Sequence, residues 1–231
     1  TSVKQFNEDW RRHMNTYYYG YRAQKESYNE IGETISLPIK QLQSFKFYSD
    51  STTIALLGLD DKDQYDVSLM IAKRDTTKET ERYKNWKKRI DKIKEKDKKT
   101  KKDSLQLSKK FKEKVLWDKA EIDHGQFHEG LSWSPDGTKL AYSKYHFDKN
   151  QSMVYDIKYY DKTDNKTLWL TQSMRATYPS WIDSNTIVFV SHKNSVSNIF
   201  SVNINDKKTS QLTNYTDNTQ IAFLSVAPSS Q

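Results

Sequence analysis

WSPDGTKLAY (residues 133–142) reads as the end of one strand, a tight turn and the start of a second strand. Asp136-Gly137 supplies the turn, because Asp-Gly tolerates the positive φ angles of a type I′ hairpin. Pro135 stands just before it, where no ladder N–H is needed. Whether this hairpin is alone or repeated decides the fold. Copies are present. SWIDSNTIVF (180–189) keeps Ser-Trp, a short Asp/Asn turn and an apolar strand. KFYSDSTTIAL (46–56) keeps the plan with Phe47 in the Trp133 position, and LSVAPSSQ (224–231) opens a fourth copy with Val226 there. Trp133 to Trp181 is 48 residues and Trp181 to Val226 is 45, but Phe47 to Trp133 is 86, a surplus of 38. The first repeat therefore carries an insertion.

The repeats also close alike. IKYYDKTDNKTLWLT (157–171) and IFSVNINDKKTSQLT (199–213) both read strand, polar turn, strand, Leu-Thr. Four short strands in a period of about 40–50 residues is the pattern of a β-propeller blade. WSPDGTKLAYS…YDIKYYDKTDNKTLWLT…YPSW resembles the repeat of TolB-type β-propellers, over roughly residues 42–231. The WD-type repeat fits less well, since Gly-His…Trp-Asp is missing. The first and third copies replace Ser-Pro-Asp-Gly by Ser49-Asp50-Ser51-Thr52 and Ile182-Asp183-Ser184-Asn185. Asp and Asn tolerate the left-handed conformation, so the turns survive. The expected fold is mainly β. It is a partial propeller of about three four-stranded blades plus the first strand of a fourth (39–231), with a helical arm before it (1–38) and a helical insertion in blade one (76–112). Propellers of this type usually have six or more blades, so the chain is expected to belong to a larger protein. Leu131, Trp133, Leu140, Tyr142, Trp181, Ile187 and Phe189 should be mostly buried between blades.

Composition agrees. Aromatics make up 13% of the chain and hydrophobic residues only 35%, which favours aromatic-rich strands over a Leu/Ala helical bundle. The net charge of +8 is local: residues 73–114 hold 19 Lys+Arg and 8 Asp+Glu, so the remainder is slightly acidic. With no cysteine, disulfides, Fe–S clusters and thiolate zinc sites are excluded. No apolar run approaches the length of a membrane span.

The first 38 residues follow a different period. Val3, Phe6, Trp10, Met14, Tyr17, Tyr21 and Tyr28 step by three or four, which predicts an amphipathic helix of about 28 residues. Ser2 and Gln5 suit a capping box; Gly20 could bend the helix, and Gly32 and Pro38 end it. This arm, with Phe-x-x-Asp-Trp-Arg at residues 6–11, is similar to the connector of exported proteins in which a zincin-like peptidase MA domain precedes a TolB-type propeller. That family's His-Glu-x-x-His is not in this chain.

Candidate chemistry is sparse. His124, His128 and Glu129 have zinc-like spacing, but DHGQFHEG reads as a loop between glycines. Asp60, Asp61, Asp63 and Asp66 lack EF-hand spacing and read as a polar hairpin. No nucleophile elbow, P-loop or dinucleotide fingerprint occurs, and no His is placed by sequence to serve the turn serines. No catalytic residue, metal ligand or cofactor is assigned. In the insertion, Tyr83, Trp86, Ile90 and Ile93 share one helical face, and Leu105, Leu107 and Phe111 begin a return, so a helical hairpin is expected. Its cations, Lys87, Lys88, Arg89, Lys92, Lys94, Lys98, Lys99, Lys101 and Lys102, are candidates for contact with an anionic membrane surface, ahead of nucleic acid. The competing reading is a solvated face. The resemblance implies a non-catalytic interaction or scaffolding segment of an exported, periplasmic or otherwise extracytoplasmic bacterial protein. Its partner would be another protein or another domain of the same polypeptide. The alternative is an accessory propeller that gates or orients substrate for a zincin-like or serine peptidase domain outside this chain.

Overall fold

The computed structural model describes residues 2–23, 25, 32, 35–60, 66–193 and 195–227. They form two compact units, Thr1–Ser36 and Leu37–Gln231. Among the described residues of the first unit, helix α1 (Val3–Ala23) is capped by Ser2, whose Oγ accepts from the Gln5 amide at 3.2 Å. The helix has 21 residues and buries none of its side chains. It stops short of the expected 28; Tyr28 lies outside the described residues.

The second unit contains three four-stranded antiparallel sheets, each a meander of consecutive strands. Sheet one is β1 (Gln41–Phe47), β2 (Thr53–Leu59), β3 (Val67–Arg74) and β4 (Trp117–Gly125). Sheet two is β5 (Phe127–Trp133), β6 (Lys139–Phe147), β7 (Met153–Asp161) and β8 (Lys166–Trp169). Sheet three is β9 (Ala176–Trp181), β10 (Thr186–Lys193), β11 (Val196–Asn203) and β12 (Thr209–Gln211). Between β3 and β4 stand α2 (Thr76–Lys94) and α3 (Lys101–Leu107), the expected helical hairpin. Arg74 and Trp117 are paired across β3 and β4, so the insertion leaves and re-enters the sheet at adjacent points.

Strand alternation explains how the sheets stack. Leu140 and Tyr142 of β6 pack with Ala55, Leu57 and Leu69 of sheet one. Ala141, between them, packs with Trp181, Ile187 and Phe189 of sheet three. Sheet two is thus buried on both faces, so its middle strands bury consecutive residues, 140–143 on β6 and 156–160 on β7. The far face of sheet one, with Ile54, Leu56 and Met70, is covered by Leu37 and Ile39.

The repeat extends to individual hydrogen bonds. The Leu170 amide donates to Ile157 O at 2.9 Å, and the Ile157 amide donates to Thr171 Oγ1 at 2.8 Å. In sheet three the Leu212 amide donates to Ile199 O at 2.8 Å, and the Ile199 amide donates to Thr213 Oγ1 at 2.9 Å. The closing Leu-Thr therefore ends the fourth strand the same way twice. Between sheets, Trp133 Nε1 donates to Lys46 O at 3.1 Å and Trp181 Nε1 donates to Ser132 O at 3.0 Å. Each Trp thus reaches back to the residue just before the Trp position of the previous repeat. The amides continue the series: Trp181 N donates to Ser132 Oγ at 3.2 Å and Val226 N to Ser180 Oγ at 3.3 Å. These sheets are successive blades of a partial β-propeller.

Four expectations need correction. First, Asp136-Gly137 is not a type I′ turn. The Gly137 amide donates to Ser134 O, and within the turn only Gly137 has positive φ (67°), so Pro135 and Asp136 are the corners and Gly137 forms a bulge after them. A Cβ at Gly137 would also strike the Tyr48 ring. Second, the fourth strand of blade one, Trp117–Gly125, runs into the segment expected to be a loop. DHGQFHEG is accordingly strand on both sides of Gln126; its glycines take φ of 129° and 107° and bend strands rather than open a loop. Third, Trp133 is half-buried, because its ring lies beside the sheet-one turn, edge-on to Tyr48, while Trp181 is 5% exposed. Fourth, residues 224–227 hold the fourth repeat's position through Val226 without forming a strand; residues 228–231 lie outside the described set.

Candidate functional site

The first strands of the blades meet at a cleft of about 300 Å³. Its walls come from residues 44–46, 130–132, 178–180 and 223–225, with Glu129 beside them. These are the three residues before the Trp position in four consecutive repeats. The strands are irregular here: pairing shifts between Leu42 and Ser44, between Phe127 and Leu131, and between Val188 and Val190 on the strand opposite Tyr178. Gly130 and Tyr178 occupy equivalent positions, and both have positive φ, 107° and 51°. For glycine this costs little, but for tyrosine it is uncommon, and strain of this sort gathers at functional sites. The Tyr178 ring meets His128 edge-on at 4.7 Å and Phe223 at 5.3 Å. Phe223 is 75% exposed, so the cleft presents aromatic surface. The repeat offset was the signal for this cleft; reading only the Trp positions missed it.

Buried polar groups tie strands together, in one case across blades. Asp123, on β4, accepts from Tyr142 Oη (2.7 Å), Lys144 Nζ (2.6 Å) and Lys158 Nζ (2.7 Å) of sheet two. Burial alone would raise its carboxyl pKa, but the bonds from Lys144, Lys158 and Tyr142 outweigh burial and hold it below the ordinary value. Burial pushes the Tyr142 phenol well up, with the Asp123 charge adding to it. Asp156 is fully buried and accepts from Thr171 Oγ1, the amides of Ser173 and Met174, and His146 Nε2. In the next repeat Asn198 Oδ1 accepts from Thr213 Oγ1 and the Tyr215 amide in the same way.

His192 contacts Ser197 Oγ through Nδ1 (2.9 Å), a serine–histidine pair that the sequence did not suggest. Its polarity can be traced. Gln220 Nε2 donates to Ser195 O, so Gln220 Oε1 faces Ser197 and accepts its hydroxyl proton. Nδ1 of His192 is then the donor to Ser197, and Nε2 accepts from Thr177 Oγ1 at 3.2 Å. A serine nucleophile needs the opposite arrangement, its proton directed at the imidazole. Burial, with His128 adding to it, lowers the His192 pKa, which keeps this tautomer neutral. Ser197 is fully buried.

The remaining sequence candidates scatter. His124 is exposed on β4 near Glu121, whereas His128 is on β5 with Nδ1 at 3.0 Å from Glu129 O. Asp60 is 5% exposed and accepts from Lys119 Nζ at 2.7 Å, while Asp61 and Asp63 lie outside the described residues. Among the described residues no group of three or more His, Asp or Glu could hold a metal ion.

On the insertion, Lys87, Lys88, Arg89, Lys92 and Lys94 are exposed on α2, Lys98 and Lys99 on the connection, and Lys101 and Lys102 at the start of α3. A second cleft, of about 560 Å³, is lined by Lys78, Glu81, Arg82, Asn85, Trp86 and Arg89 of α2 and by residues 109–112. Of the nine expected cations only Arg89 belongs to it. Trp86, Tyr83 and Phe111 pack as an aromatic triad with centroids 5.2–6.0 Å apart.

No protein-family model and no curated protein matches the sequence. Among solved structures, the chain is similar to TolB from Acinetobacter baumannii, with 12% identity and a TM-score of 0.44 over 75% of this chain and 32% of that one. It is similar to a TolB candidate from Agrobacterium tumefaciens, with 14% identity and a TM-score of 0.45 over 74% of this chain and 46% of that one. It is also similar to the β-propeller domain of the trilobed protease from Pyrococcus furiosus, with 10% identity and a TM-score of 0.41 over 74% of this chain and 42% of that one. The chain thus spans less than half the length of each. By its own meander sheets, turn motifs and repeated Trp and Leu-Thr hydrogen bonds, the chain has the fold of a partial β-propeller, and its repeat resembles that of TolB-type propellers.

Proposed function

We propose that the chain is a non-catalytic binding module in which the blades form a rigid scaffold and the inner cleft holds a segment of a protein partner. The observation that carries this reading is the cleft itself, where four repeats deliver the same three positions around a strained Tyr178. Aromatic anchors beside a few polar groups suit an inserted peptide side chain. The polar clusters nearby act as ties between strands, and the tautomer of His192 does not serve Ser197 as a base. An extracytoplasmic bacterial setting follows from the sequence resemblance, and among the described residues no helix is long and apolar enough to cross a membrane. Gating of substrate for a peptidase domain outside these residues would use the same cleft.

A displayed peptide library selected on the intact chain tests the reading, with affinities then measured by fluorescence anisotropy. Tyr178→Gly combined with Phe223→Ser removes both rings, and glycine accepts the φ of 51°, so the variant should fold. Selected peptides should bind it about tenfold more weakly or worse. Unchanged affinity for the double variant, or no enrichment at all, would contradict the proposal.

A further inference from the structure

The cleft between α2 and residues 109–112 belongs to no blade, and the inner-cleft reading makes no use of it. One wall is a stripe at positions 78, 82, 85, 86 and 89, spaced to share one face of a helix. The other is a short segment without regular secondary structure that carries Lys109, Lys110 and Lys112. Glu81 is the one carboxylate lining the space. Lys78 is neutralised by Asp75 at 2.8 Å, but Arg89, Lys109, Lys110 and Lys112 have no ion pair among the described residues. Arg82 lies over the Phe111 ring at 5.2 Å, which fixes its guanidinium without cancelling its charge. Five cations without an ion pair share this space with one carboxylate, and an anion placed among them relieves their mutual repulsion.

We infer that this cleft binds a phosphorylated ligand, its phosphate between Arg82, Arg89 and the Lys109–Lys112 wall and its organic part against Trp86 and Phe111. Two arginines on one wall supply planar forks that match phosphate oxygens, and a phosphate monoester carries enough charge to engage several cations. The walls are held in place. Asp75 caps α2 by accepting from the Lys78 amide, and Glu79 accepts from both Arg74 and the Leu116 amide, which locks the helix start to the strand that follows. Ile90 and Ile93 are buried, and Thr100 with Asp103 caps α3 while Lys96 pairs with Asp103. Binding therefore orders little that is not already ordered. From position 78 to 89 the stripe runs roughly 16 Å at about 1.5 Å per residue, room for a compact ligand and not a track for a nucleic-acid strand.

The test uses the intact chain with two double variants of equal charge loss. Arg82→Gln with Arg89→Gln alters the cleft, and Lys98→Gln with Lys99→Gln removes two exposed cations outside it. Thermal unfolding checks that both fold. Calorimetric titration with inorganic pyrophosphate should give an affinity that falls about tenfold or more in the arginine variant and about twofold or less in the lysine variant. Phosphatidylcholine vesicles with and without phosphatidylglycerol separate the ligand sources. Binding to the anionic vesicles that pyrophosphate competes away assigns a lipid headgroup; pyrophosphate binding with no vesicle binding assigns a soluble phosphoester. Equal weakening by the two variants would mean diffuse charge attraction of the kind nucleic acid exploits, and would overturn the inference. So would the absence of pyrophosphate binding to the intact chain.

Discussion

Asp123 is the residue on which blades one and two most visibly depend. Its side chain is 10% exposed and faces Lys158, whose side chain is 9% exposed, as well as Lys144. Asp123→Asn keeps the shape but leaves two ammonium groups close together with no counter-charge. Breaking a buried pair from one side costs about 3–5 kcal/mol, and the partial exposure of Lys144 puts the expected loss near the lower figure. The pH dependence has a definite sign. The folded pKa of Asp123 lies below its unfolded value, so its contribution is complete above about pH 4 and is lost as pH falls through the folded pKa. Denaturant titrations across pH 2.5–7 should show an acid-side fall in stability for the natural chain that is shallower in Asp123→Asn. Parallel curves would remove Asp123 from the account. None of this was legible beforehand, because Asp123 sits in a segment whose glycines suggested a loop and its partners are 19–35 residues away.

At the scale of elements, the insertion was readable and the strand that follows it was not. Tyr83, Trp86, Ile90 and Ile93 fell at helical spacing, and the surplus of 38 residues pointed to blade one. The end of the insertion was blurred because β4 is an outer strand with a mostly polar, exposed pattern, so no alternation announced it. The cleft cations escaped for another reason. Lysine density marks residues 87–102, whereas the cleft is set by one helical face and by a second wall supplied by residues 109–112. Because Arg74 and Trp117 are cross-strand neighbours, replacing residues 76–114 by a short Gly/Ser turn should leave sheet one closed. The expected cost is about 1–2 kcal/mol, chiefly from losing Glu79 as acceptor for the Leu116 amide. Circular dichroism should keep its β signal and lose helix; collapse of the β signal would mean the hairpin is part of the fold's core.

For the molecule as a whole, the repeat was the legible part because blade packing imposes one hydrogen-bonding plan on every copy. A Trp, a turn aspartate and a closing Leu-Thr can each be seen in the sequence. What they connect to lies a full repeat away and became visible only once the sheets stacked. The inter-blade bonds of Trp133 and Trp181 are therefore the most direct statement that successive copies are successive blades. Indole N–H exchange, followed by NMR on chain labelled at tryptophan nitrogen, measures them one by one. The account predicts that the Trp133 and Trp181 indole protons exchange far more slowly than that of Trp10, which is 55% exposed on α1. Trp181, the better buried of the two, should be the slowest. Exchange of Trp133 and Trp181 as fast as Trp10 would contradict the propeller arrangement.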